Sequence, residues 1–295
     1  MKELYLQSEY WLAAFQLITA MFGMGAALTT RDFLDVIKEP IAVGTGIAIQ
    51  ILIVPLLAYL FILVLQLPAG IAVGVVILAA IPGGTSSNIF TFLARGNTAL
   101  SIAVTGLTTL ACLITTPIIL ELLAEQYLPA GFQMPTEKIV QEIFWTLIIP
   151  LSLGMLLLNY YPHIAPTISK WSVRVSLFVI LLIVIGSSLT GRLDTDVFGP
   201  KNMLLFSMLI IVFAFIAWLA CRAIGLSRPS ATAIEFEVAI RNVNLGILIT
   251  VSLFPHAGEN TDAIGNTVMF CLLFYGAIQL LVAGSLLLSH KKLMN

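Results

Sequence analysis

Inside the apolar stretch at residues 69–94 lies the run Ile81-Pro82-Gly83-Gly84-Thr85-Ser86-Ser87-Asn88-Ile89. Proline removes a backbone donor there, and two glycines remove the steric bias toward helix. Three hydroxyls and an amide then occupy positions where a helix facing lipid carries leucines. Backbone groups freed within hydrocarbon persist only where protein or a water-filled cavity satisfies them. The run therefore predicts a discontinuous helix. Its second half would start near Ser87 and Asn88, with N–H groups and the positive dipole end aimed at a bound anion. A kinked continuous helix with back-bonded hydroxyls, or a short loop between two re-entrant halves, is the plainer alternative.

The hydrocarbon setting follows from composition. Of 295 residues, 59% are apolar and 10% charged, with mean hydropathy +1.04. Soluble domains carry about 25% charged residues, so this chain has too little polar surface to cover a water-soluble globule. A net charge of −1 gives no basic face for nucleic acid. Cys112, Cys221 and Cys271 are scattered in apolar runs without disulfide or metal-ligand spacing, and read as small packing residues. Lys2, Glu3 and Glu9 precede the first apolar run, and no A-x-A site follows it, so that run is expected to be a retained span.

A helix crossing the bilayer needs about 20 mainly apolar residues. Nine stretches qualify, at 10–29, 40–66, 69–94, 98–124, 139–160, 168–190, 201–222, 230–254 and 263–289. Arg31, Lys38, Arg95, Lys170, Arg174, Arg222, Arg228, Lys291 and Lys292 then fall on one side, against Lys2, Lys138, Arg192 and Lys201 on the other. This asymmetry predicts an outside N-terminus and a cytoplasmic C-terminus in a plasma (cell inner) membrane. The remaining basic residue, Arg241, falls within a span.

That span carries Glu235-Phe236-Glu237-Val238-Ala239-Ile240-Arg241-Asn242-Val243-Asn244. Ions at membrane depth cost about 2.5–3.5 kcal/mol each on insertion scales, which makes them functional candidates. A self-neutralising Glu237–Arg241 pair at i,i+4 that glues helices is the structural alternative. The two polar interruptions occupy the third of spans 1–4 and the third of spans 6–9, which run in opposite senses. Such pairing points to an inverted repeat and a midplane binding site. The chain is thus expected to be one polytopic domain over 1–295, with a four-helix repeat at 1–126 and a five-helix repeat at 127–295. Companion spans add Gln50, five residues before Pro55, and Ser101 with Thr105 one turn apart. Taken singly, such hydroxyls usually back-bond to their own helix. Neutral oxygens plus a carboxylate also suit a hard monovalent cation, and Ser87, Asn88, Ser101, Thr105 and Glu237 would make such a set.

Met21-Phe22-Gly23-Met24-Gly25 with Leu28-Thr29, Gln50 with Pro55, Pro82 through Asn88 continuing to Ser101, and Glu237 followed by Arg241-Asn242 together resemble the bile acid:sodium symporter family. The resemblance implies an all-α membrane protein of about nine spans, with panel and core domains and two crossed discontinuous helices. It implies one sodium site at Ser87, Asn88, Ser101, Thr105 and Glu237. A second would lie at Gln50, Glu237, the carbonyls of Val238 and Ile240, and position 241. Sodium is the only cofactor-like species implied, as coupling ion. The substrate would be a small organic anion held by Thr85, Ser86, Ser87, Asn88 and Asn242.

Position 241 departs from the family pattern, which has glutamine there. Arginine cannot ligate a cation, so its guanidinium is expected either to act as a tethered cation at the second site or to face the cavity and grip an anion. Three other functions compete. One is an uncoupled channel or facilitator, and another an uncoupled or proton-coupled organic anion carrier or exporter of a related crossed-helix family, such as the arsenite or auxin-efflux carriers. The third is an embedded enzyme, disfavoured because HExxH is lacking and His163, His256 and His290 are expected in connections.

Overall fold

The computed structural model describes residues 2–29, 39–193, 195–255 and 259–292. Among them are eleven helices: α1 (Lys2–Gly25), α2 (Pro40–Leu65), α3 (Ala69–Ala80), α4 (Ser86–Leu93), α5 (Thr98–Tyr127), α6 (Thr136–Tyr160), α7 (Ala165–Leu189), α8 (Thr195–Ile224), α9 (Arg228–Ala239), α10 (Val243–Leu253) and α11 (Glu259–Lys292). Six of the described helices are long and apolar enough to cross a membrane: α2, α5, α6, α7, and most of α8 and α11.

Side-chain placement is inverted relative to a soluble protein. On α1, Trp11 is 71% exposed, with Phe15 and Ile18 beside it at helical spacing, while Glu9 and Gln16 are buried. Trp171, Leu177, Phe178, Leu181 and Ile185 likewise face outward on α7. In water such faces would associate; in lipid they are solvated. This is an all-α integral membrane protein.

α1 starts eight residues earlier than the apolar pattern alone indicates, because partners in α7 and just beyond it satisfy its polar first turns. The Tyr5 hydroxyl lies 2.9 Å from Ser187 Oγ, and Arg192 pairs with buried Glu9. His290, expected in a connection, instead sits in the last turns of α11, where Nε2 lies 2.8 Å from Glu235 Oε2. Arg31, Lys38 and His256 fall outside the described residues, as do the side chains of Lys2, Lys291 and Lys292.

Two groups of helices emerge. α1, α6 and α7 pack on one another, and α2 to α5 with α8 to α11 form the second group; α1 and α6 meet α10 along the seam, and α5 meets α6. Within the larger group, α3/α4 and α9/α10 are broken helices that cross. The first break spans five residues. Ile81 is extended (φ −80°, ψ 152°), as a residue before proline prefers. The second spans only Ile240 to Asn242, narrower than its polar run, and contains neither proline nor glycine.

The second chain can break because the first satisfies it. Gly84 N–H donates to Ile240 O at 2.8 Å, and Asn242 N–H to Pro82 O at 2.9 Å, as a single antiparallel bridge between Gly83 and Arg241. Arg241 N–H donates to Gln279 Oε1 on α11, and Asn242 Oδ1 caps α10 through Leu245 N–H. The glycines are required by this approach. A Cβ on Gly83 would stand 2.3 Å from Glu237 Oε2, and one on Gly84 2.8 Å from Arg241 O.

Candidate functional site

Glu237, fully buried in the last turn of α9, projects into the crossing. Its Oε1 accepts from Ser101 Oγ and Thr105 Oγ1, each at 2.7 Å, and from Ser87 Oγ. Asn88 Oδ1 lies 2.8 Å from Ser101 Oγ and 3.3 Å from Thr105 Oγ1. Three helices thus converge five oxygens on one point. Each hydroxyl carries a single proton, and backbone acceptors compete for two of them: Gly84 O is 2.7 Å from Ser87 Oγ, and Ser101 O is 2.9 Å from Thr105 Oγ1. Once those carbonyls take the protons, hydroxyl lone pairs face the carboxylate. That arrangement is repulsive unless a cation sits among the oxygens. The donor set fits a hard monovalent ion.

Arg241, 2% exposed, turns its guanidinium to the end of α3. Nε donates to Leu78 O at 3.1 Å, Nη2 to Ala79 O at 3.2 Å and to Ile81 O, and Nη1 to Gln50 Oε1 at 3.1 Å. Thr116 Oγ1 donates to Ala80 O at 2.7 Å. Every carbonyl from Leu78 to Ile81 is therefore met, and a fixed positive charge stands at the negative end of the α3 dipole. Gln50 lies in a π-helical turn of α2, Ile49–Ile53, just before Pro55. Such turns recur at functional sites.

The expected second-site group is thus reached only in part. Gln50 and Arg241 meet, but the carbonyls of Val238 and Ile240 are not guanidinium acceptors, Ile240 O being taken by Gly84 N–H. Nor do Glu237 and Arg241 form a direct pair: among the described residues, those with N···O within 4.0 Å include Lys138–Glu142, Arg192–Glu9 and His290–Glu235, but not these two. Glu237 Oε2 and Gln50 Nε2 are buried without a hydrogen-bond partner.

Beside the crossing, between α1 and α7 on one side and the breaks with α11 on the other, is a cavity of about 460 Å³. Thr85, Ser86, Asn242 and Asn244 form its polar edge. α4 opens on that edge with Thr85 as its N-cap and no side-chain capping bond, Ser87 N–H being met by Gly84 O at 2.9 Å, and Asn242 Nδ2 has only Met21 Sδ, 3.9 Å away. Ser87 and Asn88 are absent from the lining, because their side-chain oxygens turn inward to the Glu237 cluster. The double role expected for them in substrate and ion binding is thereby divided.

Comparison with known proteins fits this architecture. The family model described as the sodium bile acid symporter family matches residues 14–190, more than half of the chain. The chain belongs to that family. Within the sodium bile acid symporter family it is 32% identical to the uncharacterized sodium-dependent transporter YocS of Bacillus subtilis (strain 168), over 83% of this chain and 75% of that one. It is 29% identical to the probable sodium/metabolite cotransporter BASS1, chloroplastic, of Arabidopsis thaliana, over 81% of this chain and 58% of the relative. With the human ileal sodium/bile acid cotransporter it shares 26% identity, over 81% and 69%. These relatives are named as transporters, not enzymes, and the protein is a multi-pass membrane transporter of a sodium-dependent family.

Several residues that build the site in this symporter-family chain carry no motif. Gln279 holds the backbone of Arg241, Tyr275 OH donates to Ala239 O at 3.0 Å, and Gln16 and Ser176 line the cavity. The available signal was slight: Gln16, Tyr275 and Gln279 are isolated polar residues in apolar runs, Ser176 follows Arg174 by two residues, and Gln16 stands one residue beyond Phe15 on the face opposite lipid.

Proposed function

We propose that the protein is a sodium-coupled symporter of a small organic anion, with one sodium bound at Ser87, Asn88, Ser101, Thr105 and Glu237, and Arg241 standing as a tethered cation in place of a second sodium. The observation that carries this reading is the five-oxygen cluster on Glu237, directly behind a break whose other side opens on the cavity. Ion and anion would then share α4: its side chains hold the cation, and its start at Thr85 and Ser86, at the positive dipole end, holds the substrate carboxylate with Asn242. Binding either ligand orders the same helix start, which couples the two. The halves 1–126 and 127–295 would be inverted repeats contributing one broken helix each, nine spans in all. The protein would lie in the plasma membrane, N-terminus outside and C-terminus cytoplasmic.

The test is a thermal-shift screen of carboxylates on purified protein with Na⁺ or choline. A ligand stabilises by RT ln(1 + [L]/Kd), so a carboxylate shift that grows with Na⁺ is expected. Shifts identical in choline would reject sodium coupling. Thr105→Val keeps the side-chain shape but removes one oxygen, and is expected to weaken apparent Na⁺ affinity about tenfold, one hydrogen-bond or ligand equivalent. Asn242→Ser keeps a capping oxygen for α10 but loses the amide donor. Carboxylate affinity is expected to fall several-fold with melting temperature nearly unchanged; wild-type affinity would remove Asn242 from the substrate site.

A further inference from the structure

Where α1 and α6 meet α10, a buried charge sits in the contact between the two helix groups. Glu142 on α6 is 7% exposed, and its Oε1 accepts from Ser252 Oγ on α10 at 2.8 Å. Its Oε2 is buried without a hydrogen-bond partner. Tyr10 of α1 faces the same carboxylate. Lys138 Nζ lies 3.8 Å from Glu142 Oε1 and 5.7 Å over the Tyr10 ring, on a half-exposed side chain. The rest of this stretch of α6 buries hydrocarbon, with Ile139, Ile143 and Leu147 fully enclosed. A carboxylate placed among them serves neither ion position and does not line the cavity.

Its place in the seam gives it a role. Asn244 edges the cavity at the start of α10, and Ser252 lies about 12 Å further along that helix. The contact therefore closes the cavity on the side toward which α10 runs. A transporter opens its central cavity to the two sides in turn, as one bundle rocks against the other, so this contact has to part. Another polar contact across the seam, Asn242 Nδ2 to Met21 Sδ, is long at 3.9 Å. The Glu142–Ser252 bond holds the groups together, but the same carboxylate forfeits hydration at Oε2 for as long as they stay shut. Water reaches both oxygens once α10 leaves α1 and α6. Taking away the partner of a buried charge is costly, whereas replacing the charge by a neutral group of similar shape is not. The two members of the pair thus pull the closed state in opposite directions.

We propose that Glu142 and Ser252 form a breakable latch between the two helix groups: the hydrogen bond shuts the seam at the end of α10, and the buried charge keeps that closure shallow enough to reverse. The latch acts on the motion alone. It stands apart from the ion cluster and the cavity edge, and it does not depend on which substrate or how many ions are carried.

The experiment reads the distance between the groups in the full chain by pulsed electron paramagnetic resonance. Spin labels go on Gln7→Cys of α1 and Ala263→Cys of α11, exposed positions near the starts of those helices. Cys112, Cys221 and Cys271 are buried, and the chain without the two added cysteines gives the labelling background. Ser252→Ala is expected to raise the ratio of the long to the short distance about tenfold, the worth of one hydrogen bond to a buried charge. Ser252→Thr, which keeps the hydroxyl, is expected to restore the unsubstituted ratio. Glu142→Gln keeps the acceptor for Ser252 without the charge, and is expected to lower the long-distance population several-fold. An unchanged or lower ratio in Ser252→Ala overturns the latch, and so does an unchanged or higher one in Glu142→Gln. The two substitutions lie on different helices and predict opposite signs, so if either variant fails to fold the other still decides the question.

Discussion

Glu237→Gln is expected to eliminate the sodium dependence of both stability and transport while leaving the protein folded. The carboxylate is fully buried, and its Oε1 is the point on which Ser87, Ser101 and Thr105 converge. An amide of the same shape keeps the packing. Its N–H groups can meet the hydroxyl lone pairs that otherwise await a cation, so the fold loses little. What disappears is the only formal negative charge in the oxygen cluster. A unit charge about 4 Å from an ion is worth about 4 kcal/mol at an effective dielectric of 20. Sodium affinity, and uptake driven by a sodium gradient, should therefore fall at least about 100-fold. The measurement is the melting temperature of wild type and variant across a Na⁺ titration against choline, paired with uptake in vesicles. A sodium-induced shift of wild-type size in Glu237→Gln would remove Glu237 from the ion site.

The crossing was legible because its determinants are chemical types at membrane depth. Pro82, Gly83 and Gly84 announce a break, and the oxygen-bearing residues from Ser87 to Thr105 have no role in lipid. The second break was only half legible. Its polar run marks the region, but the chain breaks at Ile240 to Asn242 because Pro82 O and Gly84 N–H from the other break satisfy it, and no local residue records that. The acceptors of Arg241 were hidden for a related reason. Carbonyls have no side-chain signature, so those of Leu78, Ala79 and Ile81 could not be told from those of Val238 and Ile240. Long-range pairs were hidden by distance along the chain: Glu9 with Arg192, Glu235 with His290, and Gln16 with Ser176 each look like an unexplained polar residue until the helices pack.

Arg241→Ala is expected to be more damaging than Arg241→Gln, and the comparison reports what the guanidinium does. In wild type it satisfies Leu78, Ala79 and Ile81 carbonyls and Gln50 Oε1, all of them buried contacts. Alanine leaves those acceptors unpaired at the negative end of the α3 dipole, at about 1–3 kcal/mol for each one that stays buried and unmatched. Total stabilities are only about 5–15 kcal/mol, so a poor yield of folded protein is expected. Glutamine restores two donors but no charge. The carbonyls that held the guanidinium, together with Gln50, would then form an acceptor-rich pocket at the end of α3. A free sodium can fill that pocket where the tethered charge stood. The tethered-cation reading therefore predicts a sodium Hill coefficient near one in wild type, rising toward two in Arg241→Gln, with a melting temperature that falls without sodium and recovers in it. A cooperative, two-sodium response in wild type would overturn the reading. So would an Arg241→Gln protein whose stability ignores sodium, because the charge at the end of α3 would then have no mobile equivalent.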